Sequence, residues 1–185
     1  LGVNTSILSC VGDDELGSLA LSKMNTIGLT TQCVQVNPLH KTGTVEVELT
    51  DGQPSYVIHE NVAYDFIDYQ KSAEAIQKQQ YNVLYFGTLA QRHVQSRKSL
   101  SELLKKNFFE HILYDCNLRA GHYTKEHIVN SLLWCTILKL NDQEVLTISE
   151  MVYKDELEIE QACVKLSKDF DLNTIVITAG DIGCY

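Results

Sequence analysis

Three stretches of the chain end on residue types that could hold a polar or anionic ligand. Asn141-Asp142-Gln143-Glu144 follows an apolar run. Asn141 as N-cap with Glu144 at the third helical position makes a capping box, the commoner outcome at such a boundary. The same oxygens suit a second role, organising Mg2+ and its waters beside nucleotide phosphates. Thr178-Ala179-Gly180-Asp181-Ile182-Gly183 follows another apolar run. Its two glycines allow backbone N–H groups to approach an anion, with Thr178 donating a hydroxyl; the plainer reading is a β-turn opening a hairpin. Asp115-Cys116-Asn117-Leu118-Arg119 is the third. It suits a sugar hydroxyl or a phosphate, or an ordinary loop ion pair.

Other combinations are weaker. Gly12-Asp13-Asp14-Glu15-Leu16-Gly17 puts acidic residues in a first helical turn, where they complement the helix dipole. His122, Glu126 and His127 match no H-E-x-x-H spacing, so a metal site there is not expected. Neither a Walker phosphate loop nor G-x-G-x-x-G occurs, and no Ser–His–Asp setting can be assembled. The 15 Lys and Arg against 24 Asp and Glu give a net charge of -9. Without a cationic footprint, binding to nucleic acid or to a membrane surface is not expected. An acidic protein acting on a nucleotide must neutralise phosphate locally, which points to a divalent cation. The six cysteines, Cys10, Cys33, Cys116, Cys135, Cys163 and Cys184, form no C-x-x-C and sit largely in apolar runs. They read as reduced core thiols of a cytoplasmic protein, and neither a signal peptide nor a membrane-spanning run is visible.

The elements that must position these residues follow an alternating rhythm. Apolar strand-like runs occupy 6–11, 82–86, 111–116, 136–140 and 174–178. Helix-period segments separate them. One carries Leu16, Leu19, Ala20, Met24 and Ile27 as an inward stripe closed by Gly28. Others place Leu100, Leu103 and Leu104 inward, start near Thr124 and at Asp142, or start at an Asp155–Glu158 capping box ahead of Ile159, Ala162, Cys163 and Leu166. This pattern predicts a mostly parallel sheet with helices on both faces. Ligands in such sheets sit beyond the carboxyl ends of the strands, where the three stretches above fall. Thr44–Thr50 breaks the rhythm, with Val45, Val47 and Leu49 alternating with Glu46 and Glu48. With an Asp51-Gly52 turn and a return over Pro54–His59 it reads as an antiparallel hairpin, a small lid or interface flap, to which Thr31–Val36 is expected to add a third strand.

Taken in order, these pieces resemble the PfkB, or ribokinase-like, carbohydrate kinases. Gly12, Asp14 and Gly17 match that family's early G-x-D-x-x-G segment. Thr42-Gly43-Thr44-Val45 and Pro54-Ser55-Tyr56 resemble its lid strands. Ala63–Ile67, Tyr85–Arg92 and Tyr114–Arg119 look like bacterial fructokinases. Asn141-Asp142-Gln143-Glu144 resembles N-x-x-E, and Thr178–Gly183 the nucleotide-binding T-x-G-x-x-G turn.

The resemblance covers essentially the whole chain. It implies an α/β fold, a ribokinase-like three-layer α/β/α sheet with a small antiparallel β lid over about residues 31–60. It also implies ATP- and Mg2+-dependent phosphorylation of a sugar hydroxyl, with fructose the leading acceptor. Asn141 and Glu144 would organise Mg2+ and phosphate, Thr178, Gly180 and Gly183 would bind nucleotide, and Asn117 and Arg119 would face the sugar. A homodimer through the lid is a further implication. The family's D-T-x-G-A-G-D signature is not present, so the resemblance implies a base and anion hole beyond Tyr185, and both ends read as cut. Two alternatives stay open: a kinase for 2-keto-3-deoxygluconate or a nucleoside, and a non-catalytic sugar- or nucleotide-binding relative.

Overall fold

The computed structural model describes residues 3–50, 53–106, 108–180 and 183–184. They fall into two compact units, Leu1–Gln80 with His93–Leu103, and Tyr81–Arg92 with Leu104–Tyr185.

In the first unit β1 (Ser9–Gly12) runs into α1 (Glu15–Thr26), and β2 (Val34–Asn37) pairs parallel to β1. Asp14 caps α1 by accepting the Gly17 N–H, satisfying one of the first-turn donors. The inward stripe differs from the sequence expectation. Gly17 is the buried position of α1, while Leu16, Leu19 and Ile27 stay exposed. A Cβ on Gly17 would meet the Gly12 carbonyl oxygen at 2.1 Å. The helix therefore approaches β1 through its glycine, and the packed line runs through Gly17, Ala20, Leu21 and Met24, at helical i, i+3, i+4 and i+7 spacing.

Thr31–Val36 is likewise corrected. Its strand residues, Val34 to Val36, lie in β2 beside β1 and not in the antiparallel insert. The insert is the two-stranded hairpin of β3 (Val45–Thr50) and β4 (Gln53–Ile58); Asp51 and Gly52 lie outside the described residues. The pairs Val45↔Ile58 and Val47↔Tyr56 put four apolar residues on one face. Glu46 and Val57 occupy the other, where Glu46 meets His59 at 3.0 Å.

Two further helices complete the unit, α2 (Tyr69–Ile76) and α3 (Val94–Leu104), whose last residue is assigned to the second unit. In α2 the buried residues are small: Ser72, Ala73 and Ala75, with Ile76. The Gln35 side chain seals its start, donating to the Asp68 carbonyl and the Ser72 hydroxyl and accepting the Asp68 N–H, each at 2.9 Å. Ser96 and Ser99 of α3 donate to the carbonyls of Tyr64 and Ile67. Leu103 and Leu104 are buried as expected.

The second unit holds a four-stranded parallel sheet in sequence order: β5 (Val83–Gly87), β6 (His111–Asp115), β7 (Ile137–Asn141) and β8 (Thr174–Thr178). The crossovers contain α4 (Lys125–Trp134), α5 (Asp142–Tyr153) and α6 (Ile159–Asp169). Right-handed crossovers that advance in one direction keep α4, α5 and α6 on one face of these four strands, where the alternating pattern predicts helices on both. That face is dry: Phe86, Tyr114, Leu138 and Leu140 are buried, as are Ile128 and Leu132 of α4, Val145 and Ile148 of α5, and Ala162 and Leu166 of α6. The opposite face carries Tyr85, Asp115 and Lys139, set by the two-residue period of a strand and the pair Asp115↔Lys139. The Asp155–Glu158 capping box does not form. Glu158 itself is the N-cap of α6 and makes no side-chain cap bond. All six cysteines are free thiols, and Cys10, Cys33, Cys116 and Cys135 are buried. Among the described residues no helix is long and apolar enough to cross a membrane.

Candidate functional site

Parallel strands deliver their carboxyl ends to one edge, and Asp115, Asn141 and Thr178 are the last residues of β6, β7 and β8. Asn141 and Thr178 are register partners.

The Asp115 carboxylate is buried yet well supplied with donors. Lys139 Nζ reaches Oδ1 at 3.0 Å and the Tyr85 hydroxyl donates to Oδ2 at 2.5 Å. That bond holds the proton on the phenol and pushes Tyr85 up to about 12, with partial burial and the carboxylate's charge adding to it.

Beyond Asp115 the backbone turns sharply and is held at each step. The Cys116 N–H donates to the Lys139 carbonyl at 2.9 Å. The Thr88 hydroxyl donates to the Cys116 carbonyl and shares a 2.7 Å bond with the Tyr114 hydroxyl. Asn117 takes a left-handed φ of 37°, a conformation Asn tolerates better than most side chains. The Leu118 N–H then donates to Glu144 Oε1 at 2.7 Å. Asn117 and Arg119 are exposed on this turn, and the Arg119 carbonyl accepts the His122 N–H at 3.0 Å.

The capping box is present in full. Asn141 Oδ1 accepts the Glu144 N–H at 2.8 Å, and Glu144 Oε2 accepts the Asn141 N–H at 2.9 Å. Glu144 is buried, so each of its oxygens lies on a backbone N–H. The Cys116 thiol beside it is pushed well up, first by burial and then by the Glu144 charge, which makes it a core group and not a nucleophile.

After β8 the Ala179 N–H donates to the Gly183 carbonyl at 2.8 Å, and Thr178 bridges antiparallel to Cys184. Gly180 (φ 55°) and Gly183 (φ 121°) both sit in the positive-φ region with open space where a Cβ would stand. Asp181 and Ile182 lie outside the described residues. The second unit therefore brings Asn117, Arg119, Asn141, Glu144, Thr178, Gly180 and Gly183 to the strand-end turns of a single sheet.

The fourth stretch belongs to the first unit and is built differently. Asp14 accepts from the Gly17 N–H (2.8 Å), the Thr42 N–H (2.8 Å) and the Thr42 hydroxyl (2.7 Å), while the Gly12 N–H donates to that hydroxyl at 2.8 Å. The Thr42 hydroxyl bond, ahead of the two N–H bonds, lowers the Asp14 carboxyl below its ordinary value.

The model of the pfkB family carbohydrate kinases matches residues 1–185. The chain belongs to that family. Among curated proteins, the "Putative sugar kinase PH1459" of Pyrococcus horikoshii is 25% identical over 158 residues, covering 79% of this chain and 49% of that protein. Its crystal structure in complex with ATP aligns with a TM-score of 0.78 and 21% identity, covering 100% of this chain and 58% of that one. Fructokinase from Vibrio cholerae O395, in apo form, aligns with a TM-score of 0.80 and 19% identity over 97% of this chain and 62% of its own. The fold is thus ribokinase-like α/β, with a parallel sheet, helices and a small antiparallel sheet. The chain spans about half the length of this curated relative.

Within this pfkB-family chain the sequence reading missed Tyr85, Thr88 and Lys139. Lys139 is a charged residue inside the apolar run TILKL, and such a residue requires a partner when its strand is covered. That partner, Asp115, lies 24 residues away and becomes adjacent only once β6 and β7 are in register.

Proposed function

We propose that the full-length protein containing this chain transfers the γ-phosphoryl group of ATP to a sugar hydroxyl, with a primary hydroxyl of fructose as the leading acceptor. The observation that carries the reading is the family match over residues 1–185, together with the strand-end clustering of Asn117, Asn141, Glu144 and Thr178. The ATP-bound relative supports the donor.

In this reading the Thr178–Gly183 turn binds nucleotide. Its positive-φ glycines leave space for an anion to approach backbone N–H groups. Asn117 and Arg119 orient the acceptor, Arg119 by a forked contact that a lysine could not reproduce. Asn141 and Glu144 supply hard oxygens, but Asn141 Oδ1 and both Glu144 oxygens already accept backbone N–H bonds. Among the described residues no group of three or more His, Cys, Asp or Glu is placed to hold a metal. This arrangement fits an ion held mainly by phosphates and water, the usual habit of Mg2+, which when bound neutralises charge on the transferring phosphoryl group. No residue of 1–185 is assigned as the general base.

The test is an ATP-dependent phosphorylation assay of the full-length gene product with fructose, 2-keto-3-deoxygluconate and nucleosides in parallel. Fructose turnover supports the reading. Turnover of another acceptor alone changes the substrate. Binding of sugar or ATP with turnover of none supports the non-catalytic alternative. We also propose a homodimer through the lid, because Val45, Val47 and Tyr56 are 52%, 57% and 58% exposed on one face and a two-stranded ribbon is marginal by itself. Val47→Glu is then expected to yield monomers in sedimentation, whereas an unchanged dimer would remove the lid from the interface.

A further inference from the structure

Thr88 stands where a cap is expected and does not act as one. It precedes the short turn Leu89–Gln91 after β5, yet its side chain makes no cap bond there. Its hydroxyl crosses to the neighbouring strand instead and donates to the Cys116 carbonyl just beyond β6. We infer that Thr88 is a positioning residue: it ties the exit of β5 to the exit of β6 and fixes the point from which the Asn117 turn departs, the turn that the proposed reaction gives to the sugar acceptor. The inference rests on that reading only for its kinetic consequence.

Three observations carry it. The first is the situation of the carbonyl. Strand pairing on both sides of β6 ends at Asp115, opposite Gly87 and Lys139. The Cys116 N–H still finds the Lys139 carbonyl at 2.9 Å, but the Cys116 carbonyl lies past the ladder on a buried residue, where an unpaired oxygen is costly. Thr88 supplies its donor. The second is the commitment of the hydroxyl proton. A carbonyl only accepts, so the Thr88 proton goes to Cys116, and the 2.7 Å bond between Thr88 and Tyr114 takes its proton from the phenol. Burial pushes the Tyr114 phenol well up, which keeps that proton in place. Its ring stacks on Phe86 with centroids 5.1 Å apart, so the position of the hydroxyl is set. The third is the anchoring of the turn that carries Thr88. Gln91 Nε2 donates to Ser131 Oγ of α4 at 2.9 Å, and the Ser131 hydroxyl donates to the His127 carbonyl at 2.8 Å. Support therefore runs from α4 through the Gln91 turn to Thr88. From Thr88 it reaches the residue before Asn117, whose φ of 37° persists only while both of its flanks are held.

Thr88→Val and Thr88→Ser in the full-length protein test the tether. Val keeps the branched shape and removes both bonds, whereas Ser keeps the hydroxyl. The probes are the Cys116 and Leu118 amides, which donate to the Lys139 carbonyl and to Glu144. In Thr88→Val their hydrogen exchange, read at single residues, is expected to rise at least about fivefold, the scale of one lost hydrogen bond, with the amides of Ile148 and Leu166 unchanged. Thr88→Ser is expected to restore the wild-type rates. In kinetics, the KM of Thr88→Val for the sugar acceptor is expected to rise about tenfold, the cost of a displaced binding group, with the KM for ATP moving less than about twofold. Unchanged exchange at Cys116 and Leu118 in Thr88→Val would overturn the tether. So would acceptor and ATP KM rising together, the signature of a generally loosened unit. If Thr88→Val does not fold, Thr88→Cys, whose thiol donates only weakly, gives the same comparison against Thr88→Ser with a smaller amplitude. If the full-length protein phosphorylates nothing, the proposed function fails while the exchange comparison still judges the tether.

Discussion

Two carboxylates in this chain make the same kind of bond in opposite surroundings. Asp14 ties the exit of β1, the start of α1 and the approach to β3 together through Gly17 and Thr42. Its flanking glycines have no spare room: a Cβ on Gly12 would meet the Thr42 nitrogen at 2.5 Å, and one on Gly17 the Gly12 carbonyl oxygen at 2.1 Å. Glu144 ties two strand-end loops in the other unit, and the glycines of the adjoining strand-end turn, Gly180 and Gly183, face nothing within 4 Å. A motif whose glycines are crowded is committed to holding backbone against backbone. One whose glycines face open space keeps a surface free for something else. The two G-containing motifs look alike in sequence, and room for a Cβ is what separates them.

Gly17→Ala against Gly180→Ala gives the largest test of that contrast. The first forces a backbone shift and is expected to cost at least about 3 kcal/mol, as severe overpacking does. The second places Ala at a left-handed φ without a clash, for about 1–2 kcal/mol. Denaturant unfolding of both variants measures the gap, and equal losses would break the comparison.

Asp14→Asn comes next. The folded-state carboxyl of Asp14 is lowered, so its contribution is present above the unfolded value of about 4 and is lost as pH falls through the folded value. Acid unfolding of the wild type should therefore steepen below about pH 4, and the Asn variant should lose that part of the slope. An unaltered acid limb would mean the knot does not depend on charge.

The smallest effect is expected from Tyr85→Phe. The Tyr85 phenol is raised to about 12, so its contribution is present below the unfolded value of about 10 and is lost as pH rises between the two. Ultraviolet titration should show a late-ionising phenol that the Phe variant lacks. A phenol ionising near its ordinary value would dissolve the Tyr85–Asp115 bond.

Local signals carried most of the second unit and less of the first. Runs such as TIVIT and HILYD announced their strands, and Asn141-x-x-Glu144 announced its capping box, because each depends on neighbours in sequence. Partner choice does not. Val34 and Val36 show the same alternation whether they join β1 or the hairpin, and the register Ser9↔Val34 is a tertiary outcome. The packed stripe of α1 lies a fraction of a turn from its most apolar line because Gly17, the buried residue, carries no hydrophobic signal. Helix α2 buries Ser72, Ala73 and Ala75, small residues that leave little periodicity to detect. At the candidate site the residue types were legible at Asn117, Arg119, Asn141, Glu144 and Thr178. The second bond of Glu144, and the Tyr85–Asp115–Lys139 cluster, were not, since each joins residues 24 to 30 positions apart.

The Leu118–Glu144 bond also sets an order of assembly. Strand β6 can pair with β5 as soon as both have been synthesised, but the turn that follows waits for a residue 26 positions further along. At ribosomal speeds of about 5–20 residues per second that delay is on the order of seconds, long compared with the microseconds in which helices form. During that interval Asn117 is free to sample right-handed and extended conformations on a growing chain. Its left-handed state is imposed from downstream, by α5 closing back onto it, so the Asn117 turn should be among the last parts of the second unit to acquire native geometry.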